Sequence, residues 1–272
     1  MTDTTLHLEL ARRLADAYAV LPEVRAVAVA GSVAAGAADA GSDLDLYVYY
    51  SAPIPLDARA AIAAGSPQAE IGNDFFGFGD EWIDAASGLH VDVVLWHDEW
   101  MADQIARTLD RHEAWMGYTT CFWYTVRQSR LLYDRDGWFA ALQAKAAGSY
   151  PEPLRQAIIA KNQTFLRDTL SSYRYQLAGA VRRGDMVAVN HRVAAALASY
   201  FDVLFALNRL PHPGEKRLVQ IASTVCKRLP PDWPDAVCAL LAAAGQEGEA
   251  VVARLDALVD GLEVLLQAEG LA

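Results

Sequence analysis

The pattern of apolar and polar positions divides the chain into a first half with short strands and a second half with long helices. In the first half, residues 24–30 form a compact apolar run and residues 44–50 alternate as a half-buried strand does. The elements predicted here are helices over 5–21 and 97–111 and strands over 24–30, 44–50, 80–86 and 90–96.

The second half has the period of amphipathic helices, interrupted by Gly and Pro. Asp185 follows Gly184 and can cap a helix, whereas the prolines at 230 and 231 end one. The helices predicted here cover 151–183, 185–207, 215–229, 235–244 and 247–269. We therefore expect an α+β protein, with a strand-containing domain over residues 1–147 and an all-α helical bundle over residues 148–272.

One motif in the first half combines a phosphate-binding type of turn with paired carboxylates. Gly31 and Ser32 follow the first predicted strand directly, where free backbone N–H groups and a hydroxyl suit a phosphate. Asp43 and Asp45 lie two residues apart on the next strand and so point to one face. Two carboxylates this close repel each other unless a divalent cation lies between them.

A third carboxylate lies on the fourth predicted strand. Asp92 is flanked by valines, and an acid in such an apolar strand is costly to bury without a partner. A metal shared with Asp43 and Asp45 would supply that partner. Three carboxylates beside a phosphate-binding turn are typical of two-metal phosphoryl or nucleotidyl transfer.

Other interpretations of these residues are weaker but remain open. The glycines at 31, 36 and 41 fit neither the Walker loop nor the dinucleotide-binding fingerprint. A calcium-like loop or a hairpin with polar ends would explain a lone Asp-x-Asp. Neither explains the strand-borne Asp92.

The full set of residues resembles the polymerase-β-like nucleotidyltransferase superfamily. Its pattern is a Gly-Ser, about ten residues, an Asp-x-Asp on a strand and a later strand Asp, and it covers residues 24–96. The resemblance implies a mixed sheet flanked by helices. It implies that Asp43 and Asp45 hold two Mg²⁺ ions, and that Asp92 completes one of them and helps to deprotonate the acceptor hydroxyl. Gly31, Ser32 and Ser42 would cradle the triphosphate.

The arrangement of a catalytic domain before a helical domain is similar to the small-molecule branch, the aminoglycoside and lincosamide nucleotidyltransferases. Residues 204–209 and 213–217 also resemble the helical domain of bacterial nucleotidyltransferase-like proteins. The resemblance implies a magnesium-dependent transfer of a nucleoside monophosphate to a small-molecule hydroxyl, with release of pyrophosphate. ATP is the expected nucleotide, which would make the protein an adenylyltransferase.

Charge is distributed unevenly between the two halves. Residues 1–140 contain 9 Arg, no Lys and 21 Asp or Glu, which gives 9 − 21 = −12, whereas the other residues give 14 − 13 = +1. So acidic a first half repels nucleic-acid backbones and attracts cations. We therefore expect no nucleic-acid partner and a neutral or cationic acceptor. Residues 74–84 lie close in sequence to the strand of Asp92 and contain Asp74, Asp80, Glu81 and Asp84, which either line the cleft for the acceptor or belong to a soluble loop.

The same distribution leaves few cations near the motif for a triphosphate. The extra cations should therefore come from the helical half. Lys216, after a Pro-Gly turn at a predicted helix start, is the first candidate, and Arg217 is the second. The alternative is that Lys216 faces solvent or lies in a domain interface and does not contact the triphosphate.

Two further functions stay open, namely modification of a protein hydroxyl, as in toxin–antitoxin nucleotidyltransferases, and a non-catalytic nucleotide sensor. Three widely spaced cysteines argue against a disulfide framework and favour a reducing cytoplasm. The longest apolar stretch, residues 193–207, contains Asp202, so we expect no membrane association. The residues leave the oligomeric state open.

Overall fold

A computed structural model of the protein describes residues 3–34, 36, 38–39, 41–74, 77–246 and 248–271. A sheet with flanking helices is followed by a helical region, so the predicted α+β class is confirmed. The chain separates into two compact units, residues 1–106 with 125–148 and residues 107–124 with 149–272. Among the helices that the structure describes, none combines the length and apolarity needed to cross a bilayer.

The first unit is built on a six-stranded mixed sheet in the order β3-β4-β5-β2-β1-β6. Only the central pair β2 and β5 is parallel, and the other neighbours are antiparallel. The strands are β1 (Val24–Val29), β2 (Leu44–Tyr50), β3 (Glu70–Asn73), β4 (Gly79–Ile83), β5 (His90–His97) and β6 (Arg130–Asp134).

Alternation along the central strands places the core on one face of this sheet. Leu44, Leu46, Val91 and Val93 are fully buried in one hydrophobic cluster with side chains of the first helix. The intervening residues are only half-buried. The helices with residues in this unit are α1 (Asp3–Ala19), α2 (Gly31–Ala34), α3 (Leu56–Ile62), α4 (Asp98–Leu109), α5 (Cys121–Gln128) and α6 (Trp138–Ala146).

The second unit is helical, as its sequence period predicts. Its other elements are α7 (Glu152–Gln163), a π-helical turn (Thr164–Asp168), α8 (Tyr173–Arg182), α9 (Met186–Leu207), α10 (Leu218–Val225), α11 (Trp233–Ala244) and α12 (Ala250–Ala268). The cap predicted for α9 is present, since the Asp185 carboxylate accepts a hydrogen bond from Ala188 N.

Several predicted boundaries were wrong for local reasons. The run over 151–183 is not one helix, because it passes through the π-helical turn and restarts at Ser172, whose hydroxyl caps α8. The helix predicted over 215–229 is confined to α10. The strand predicted over 80–86 is β4, which ends at Ile83, and β6 is a strand that the sequence analysis did not predict.

Candidate active site

The carboxylate pair of the motif lies at the start of β2, on the face of the sheet away from the core. Leu44 and Leu46 are buried on one side of the strand, whereas Asp45 and Tyr47 are half-buried on the other. Asp43 immediately precedes the strand, and its side chain is 60% exposed. The period of two along a strand thus separates the acids from the core, as the sequence indicates.

The parallel pairing of β2 with β5 brings the third carboxylate next to the second. Asp45 and Asp92 are directly opposed in the register. Residues opposed in this way project from the same face of a sheet, so Asp92 shares the face of Asp43 and Asp45. Some fifty residues of sequence separation are closed by one strand pairing.

Gly31 makes room for Asp45. Its φ is +58°, and a Cβ built on it would lie 2.0 Å from Asp45 Oδ2. Ala30 N also donates a hydrogen bond to the Asp45 carbonyl oxygen, at 3.1 Å. The turn after β1 therefore needs a glycine for its backbone conformation and for the close approach of the carboxylate.

The two serines predicted to contact phosphate both precede this carboxylate pair in the chain. Ser32 is half-exposed in the short helix α2. The Ser42 hydroxyl donates to Asp39 Oδ1 at 3.0 Å and accepts from Asp39 N at 3.0 Å, and the Ser42 carbonyl accepts from His7 Nε2 at 2.8 Å. These hydrogen bonds hold Ser42 in place immediately before Asp43.

Repulsion between carboxylates marks this face of the sheet. Burial raises the pKa of Asp92, and the charges of Glu81, Asp45 and Asp43 raise it further, while His90 opposes the shift. His90 Nδ1 lies 3.2 Å from Asp43 Oδ1, and its Nε2 lies 3.6 Å from Glu81 Oε2. His90 is therefore a cationic partner of Asp43 and Glu81 when its imidazole is protonated.

The first unit thus carries the elements of the predicted motif in one place, and a family comparison agrees with it. Residues 9–114 match the family model described as "Nucleotidyltransferase domain". This part of the chain is similar to nucleotidyltransferase domains. Domains of this kind act on nucleoside triphosphates and generally use a divalent metal.

The helical region matches a different family model. Residues 115–218 correspond to "Domain of unknown function (DUF4037)". A solved structure of a nucleotidyltransferase-like protein from Exiguobacterium sibiricum 255-15 is 16% identical, with a TM-score of 0.45, and the match covers 96% of this chain and 75% of that chain. This likeness is too distant to inform the site. No curated protein matches the chain.

The first unit has the donor chemistry for a divalent cation. As the side chains stand, no group of three or more His, Cys, Asp or Glu in the described ranges is arranged to hold a metal ion. Asp43 is turned toward His90. The residues nevertheless fit Mg²⁺ in type, because carboxylate oxygens are its preferred ligands and a cation would relieve the repulsion at Asp92.

Two acids outside the predicted motif extend its carboxylates into a row across the sheet, which we call the carboxylate row. Glu70 on β3 is opposed to Glu81 on β4, and Glu81 is opposed to Asp92 on β5. With Asp45 on β2, four acids form one row across four strands. The alternation around residue 81 was the available signal, but only the strand pairing shows which side of β4 faces the site.

The neighbouring acids on β4 and just after it have structural partners instead. Asp80 is fully buried, and its carboxylate accepts hydrogen bonds from Arg59 Nη1 at 3.0 Å and Gly72 N at 2.8 Å. Asp84 accepts from Arg13 Nη2 at 2.5 Å. The interpretation of residues 74–84 as a single acidic lining was therefore wrong for Asp80 and Asp84. The apolar loop before them includes Phe75 and Phe76, which lie outside the described residues.

Lys216 belongs to the second unit. It is exposed in the turn that precedes α10. Its role toward a triphosphate stays a prediction from charge.

Proposed function

We propose that the protein transfers a nucleoside monophosphate, AMP from ATP in the first instance, to a hydroxyl of a small neutral or cationic molecule. The observation that carries this proposal is the register of β2 and β5, which sets Asp45 beside Asp92 with Asp43 on the same face. A domain that only binds a nucleotide has no need for three mutually repelling acids.

In this proposal the acceptor oxygen attacks the α-phosphorus of the triphosphate in line. The new bond joins the acceptor oxygen to the α-phosphorus, the bond from that phosphorus to the bridging oxygen breaks, and pyrophosphate leaves. Asp92 takes the hydroxyl proton and passes it to solvent. Gly31, Ser32 and Ser42 position the triphosphate, with Lys216 as a further cation.

Asp43, Asp45 and Asp92 would hold two Mg²⁺ ions. When bound, these ions would stabilise the charge that develops on the attacking and leaving oxygens. The chain's own contribution is to fix three carboxylates on one face and to leave room for Asp45 at Gly31.

The carboxylate row supports a cationic or neutral acceptor. Like charges directly opposed across strands are destabilising, and the row contains two such antiparallel pairs, Glu70 with Glu81 and Glu81 with Asp92. A cavity of about 630 Å³ lies against its outer end, lined among others by Glu70, Glu81 and His90. An ammonium group bound there would offset the repulsion, whereas an anionic acceptor would increase it.

We further propose that the protein acts in the cytoplasm. The free state of Cys121, Cys226 and Cys238 supports a reducing compartment.

The test of this function is a pyrophosphate-release screen. ATP, GTP, CTP and UTP would each be incubated with Mg²⁺ and with amino-sugars, lincosamides or nucleosides, and Asp45→Asn would serve as the blank. We expect magnesium-dependent release with ATP and an amino-sugar-like acceptor. Release with none of the acceptors, together with a mass gain of a protein partner incubated with ATP, would favour protein modification instead.

A further inference from the structure

The helical unit contains an apolar cavity that the proposed reaction does not use. Its volume is about 610 Å³, within the range of about 300–1,000 Å³ that small-molecule sites occupy. Helices α9, α10 and α11 supply its walls, with Leu197, Phe201 and Val237 among the apolar side chains. We refer to this space, with Tyr118 and Arg217 at its edge, as the helical cavity.

Polar groups in the helical cavity are few and are limited to Tyr118, Arg217 and Gln220. All three are exposed, so they lie where the cavity meets solvent. Arg217 makes no ion pair within the part of the chain that the structure describes. An apolar space with a few polar groups placed to orient a guest is the usual form of a small-molecule site.

Tyr118 is held at the cavity in a strained conformation. Its φ is +58°, which is uncommon for a residue with a side chain. The residues on both sides are tied to buried groups, because Gly117 N donates to Asn162 Oδ1 at 2.9 Å and Thr119 Oγ1 donates to Asp202 Oδ2 at 2.6 Å. Strain of this kind persists only where the surroundings enforce it, and it is concentrated at ligand-binding positions.

The loop of residues 117–119 packs closely against the wall of the helical cavity. Gly117 has a φ of +81°, and a Cβ on it would lie 2.9 Å from the Cβ of Ala198, which lines the cavity. Glycine at this position therefore lets Tyr118 reach the cavity. The Tyr118 ring also packs edge-on against buried His212, at 5.0 Å between centroids.

Arg217 is held in the same unusual conformation. Its φ is +56°, and it stands at the N-terminal end of α10 without a side-chain cap. Lys216 precedes it, and both cations are exposed, as is Glu215. Burial raises the pKa of Tyr118 and the charge of Glu215 raises it further. The two cations nevertheless outnumber this single acid.

We propose that the helical cavity binds a small amphipathic anion, with an apolar ring or branched chain inside and one carboxylate or sulfonate at Arg217. The apolar walls select the body of the ligand, and the unpaired guanidinium selects the sign of its head group. The proposal does not rest on nucleotidyl transfer, since the proposed reaction uses neither the cavity lining nor Arg217.

Two fluorescent probes that differ in one charged group test this proposal on the full chain. 8-Anilinonaphthalene-1-sulfonate carries an aromatic body and a sulfonate, and N-phenyl-1-naphthylamine is the same molecule without the sulfonate. We expect saturable binding of the sulfonate probe with one site per chain. Arg217→Gln should weaken it about ten-fold, the effect of losing one charge-assisted contact, and leave the neutral probe unchanged.

Three further variants test, in turn, the charge at position 217, an unrelated surface charge as a control, and the space inside the cavity. Arg217→Lys should retain most of the affinity for the sulfonate probe, and Lys227→Gln, a surface change outside the cavity lining, should retain all of it. Ala194→Trp, at an exposed α9 position that lines the cavity, should weaken both probes. Equal affinity for the sulfonate probe in wild type and Arg217→Gln, a parallel loss of both probes in Arg217→Gln, or no effect of Ala194→Trp would overturn the proposal.

Discussion

At the scale of single residues, the site depends on one glycine that lies against one carboxylate. Gly31 has a positive φ and approaches Asp45 so closely that any side chain at this position would displace the carboxylate. Gly36 also has a positive φ, of +67°, but a Cβ there would meet nothing within 4 Å. The two glycines therefore share a positive φ and differ in the close approach of a carboxylate.

Alanine substitutions at the two glycines should distinguish the effect of backbone strain on stability from the effect of a displaced Asp45 on turnover. Gly31→Ala and Gly36→Ala should each lower the free energy of unfolding by about 1–2 kcal/mol, because both place a side chain in the left-handed region. Only Gly31→Ala should also reduce turnover, by roughly 100-fold, because it displaces Asp45. Denaturant unfolding and initial rates check this, and equal rates for the two variants would contradict it.

Adjacent acids on β4 have opposite roles, which a matched pair of amides can show. Asp80→Asn should cost about 3–5 kcal/mol of unfolding free energy, because it leaves the buried Arg59 guanidinium without its counter-charge. Glu81→Gln should leave stability unchanged or raise it, because it removes a like-charge pair with Asp92. Glu81→Gln should also raise the Michaelis constant of a cationic acceptor and leave the affinity for the nucleotide unchanged. Thermal unfolding and steady-state kinetics check both, and an Asp80→Asn protein as stable as wild type would refute the structural role.

At the scale of elements, helix α9 carries a buried carboxylate that fastens the loop before α5. Asp202 accepts hydrogen bonds from Thr119 N and Thr119 Oγ1, and burial raises its pKa to about 7. Its ordinary pKa is about 3.9. The folded state therefore holds this proton more tightly than the unfolded state does.

The sign of the pH dependence follows from this raised pKa. The stabilisation is complete below about pH 4 and is lost as pH rises toward 7, with a total of roughly 4 kcal/mol for three pKa units. Asp202→Asn cannot ionise, so its stability minus that of wild type should increase between pH 4 and 7. Chemical denaturation of both proteins across this range measures the difference, and a constant difference would contradict the buried position of the carboxylate.

The elements that the sequence predicts well are the ones whose side chains are buried on at least one face. Strands β1, β2 and β5 lie inside the sheet and have dense apolar patterns. Strands β3 and β6 are its edges, and β3 reads Glu-Ile-Gly-Asn with no buried residue. Such short edges leave little hydrophobic pattern, so the sequence analysis did not identify them.

For the candidate site, the sequence predicts the residues that depend on strand period and does not predict those that depend on strand register. The aspartates at 43, 45 and 92 follow from strand period and spacing. The roles of Glu81 and Asp80 depend on which side of β4 faces the acids, and that is set by pairing with β5. Local sequence does not contain this register, because it is decided by contacts distant along the chain.

At the scale of the whole molecule, charge is the property that links nucleotide and acceptor. The chain carries a net charge of −11, and its acidic first part, residues 1–140, contains no lysine. A triphosphate therefore needs cations from elsewhere, and Lys216 is the proposed source. Lys216→Ala should weaken nucleotide binding roughly ten-fold without changing acceptor affinity. Calorimetric titration with a non-hydrolysable triphosphate measures this, with Lys227→Ala as the control, and an unchanged dissociation constant would remove Lys216 from the site.

The central claim is that the opposed aspartates of β2 and β5 perform nucleotidyl transfer. Its most direct measurement is the mass of the acceptor after incubation with ATP, Mg²⁺ and each of four proteins: wild type, Asp45→Asn, Asp92→Asn and Asp57→Asn. Asp57 is an exposed acid of α3 and serves as the matched control. We predict that wild type and Asp57→Asn add one nucleoside monophosphate to the acceptor and that the other two add none while remaining folded. Full modification by Asp45→Asn or Asp92→Asn would contradict the account.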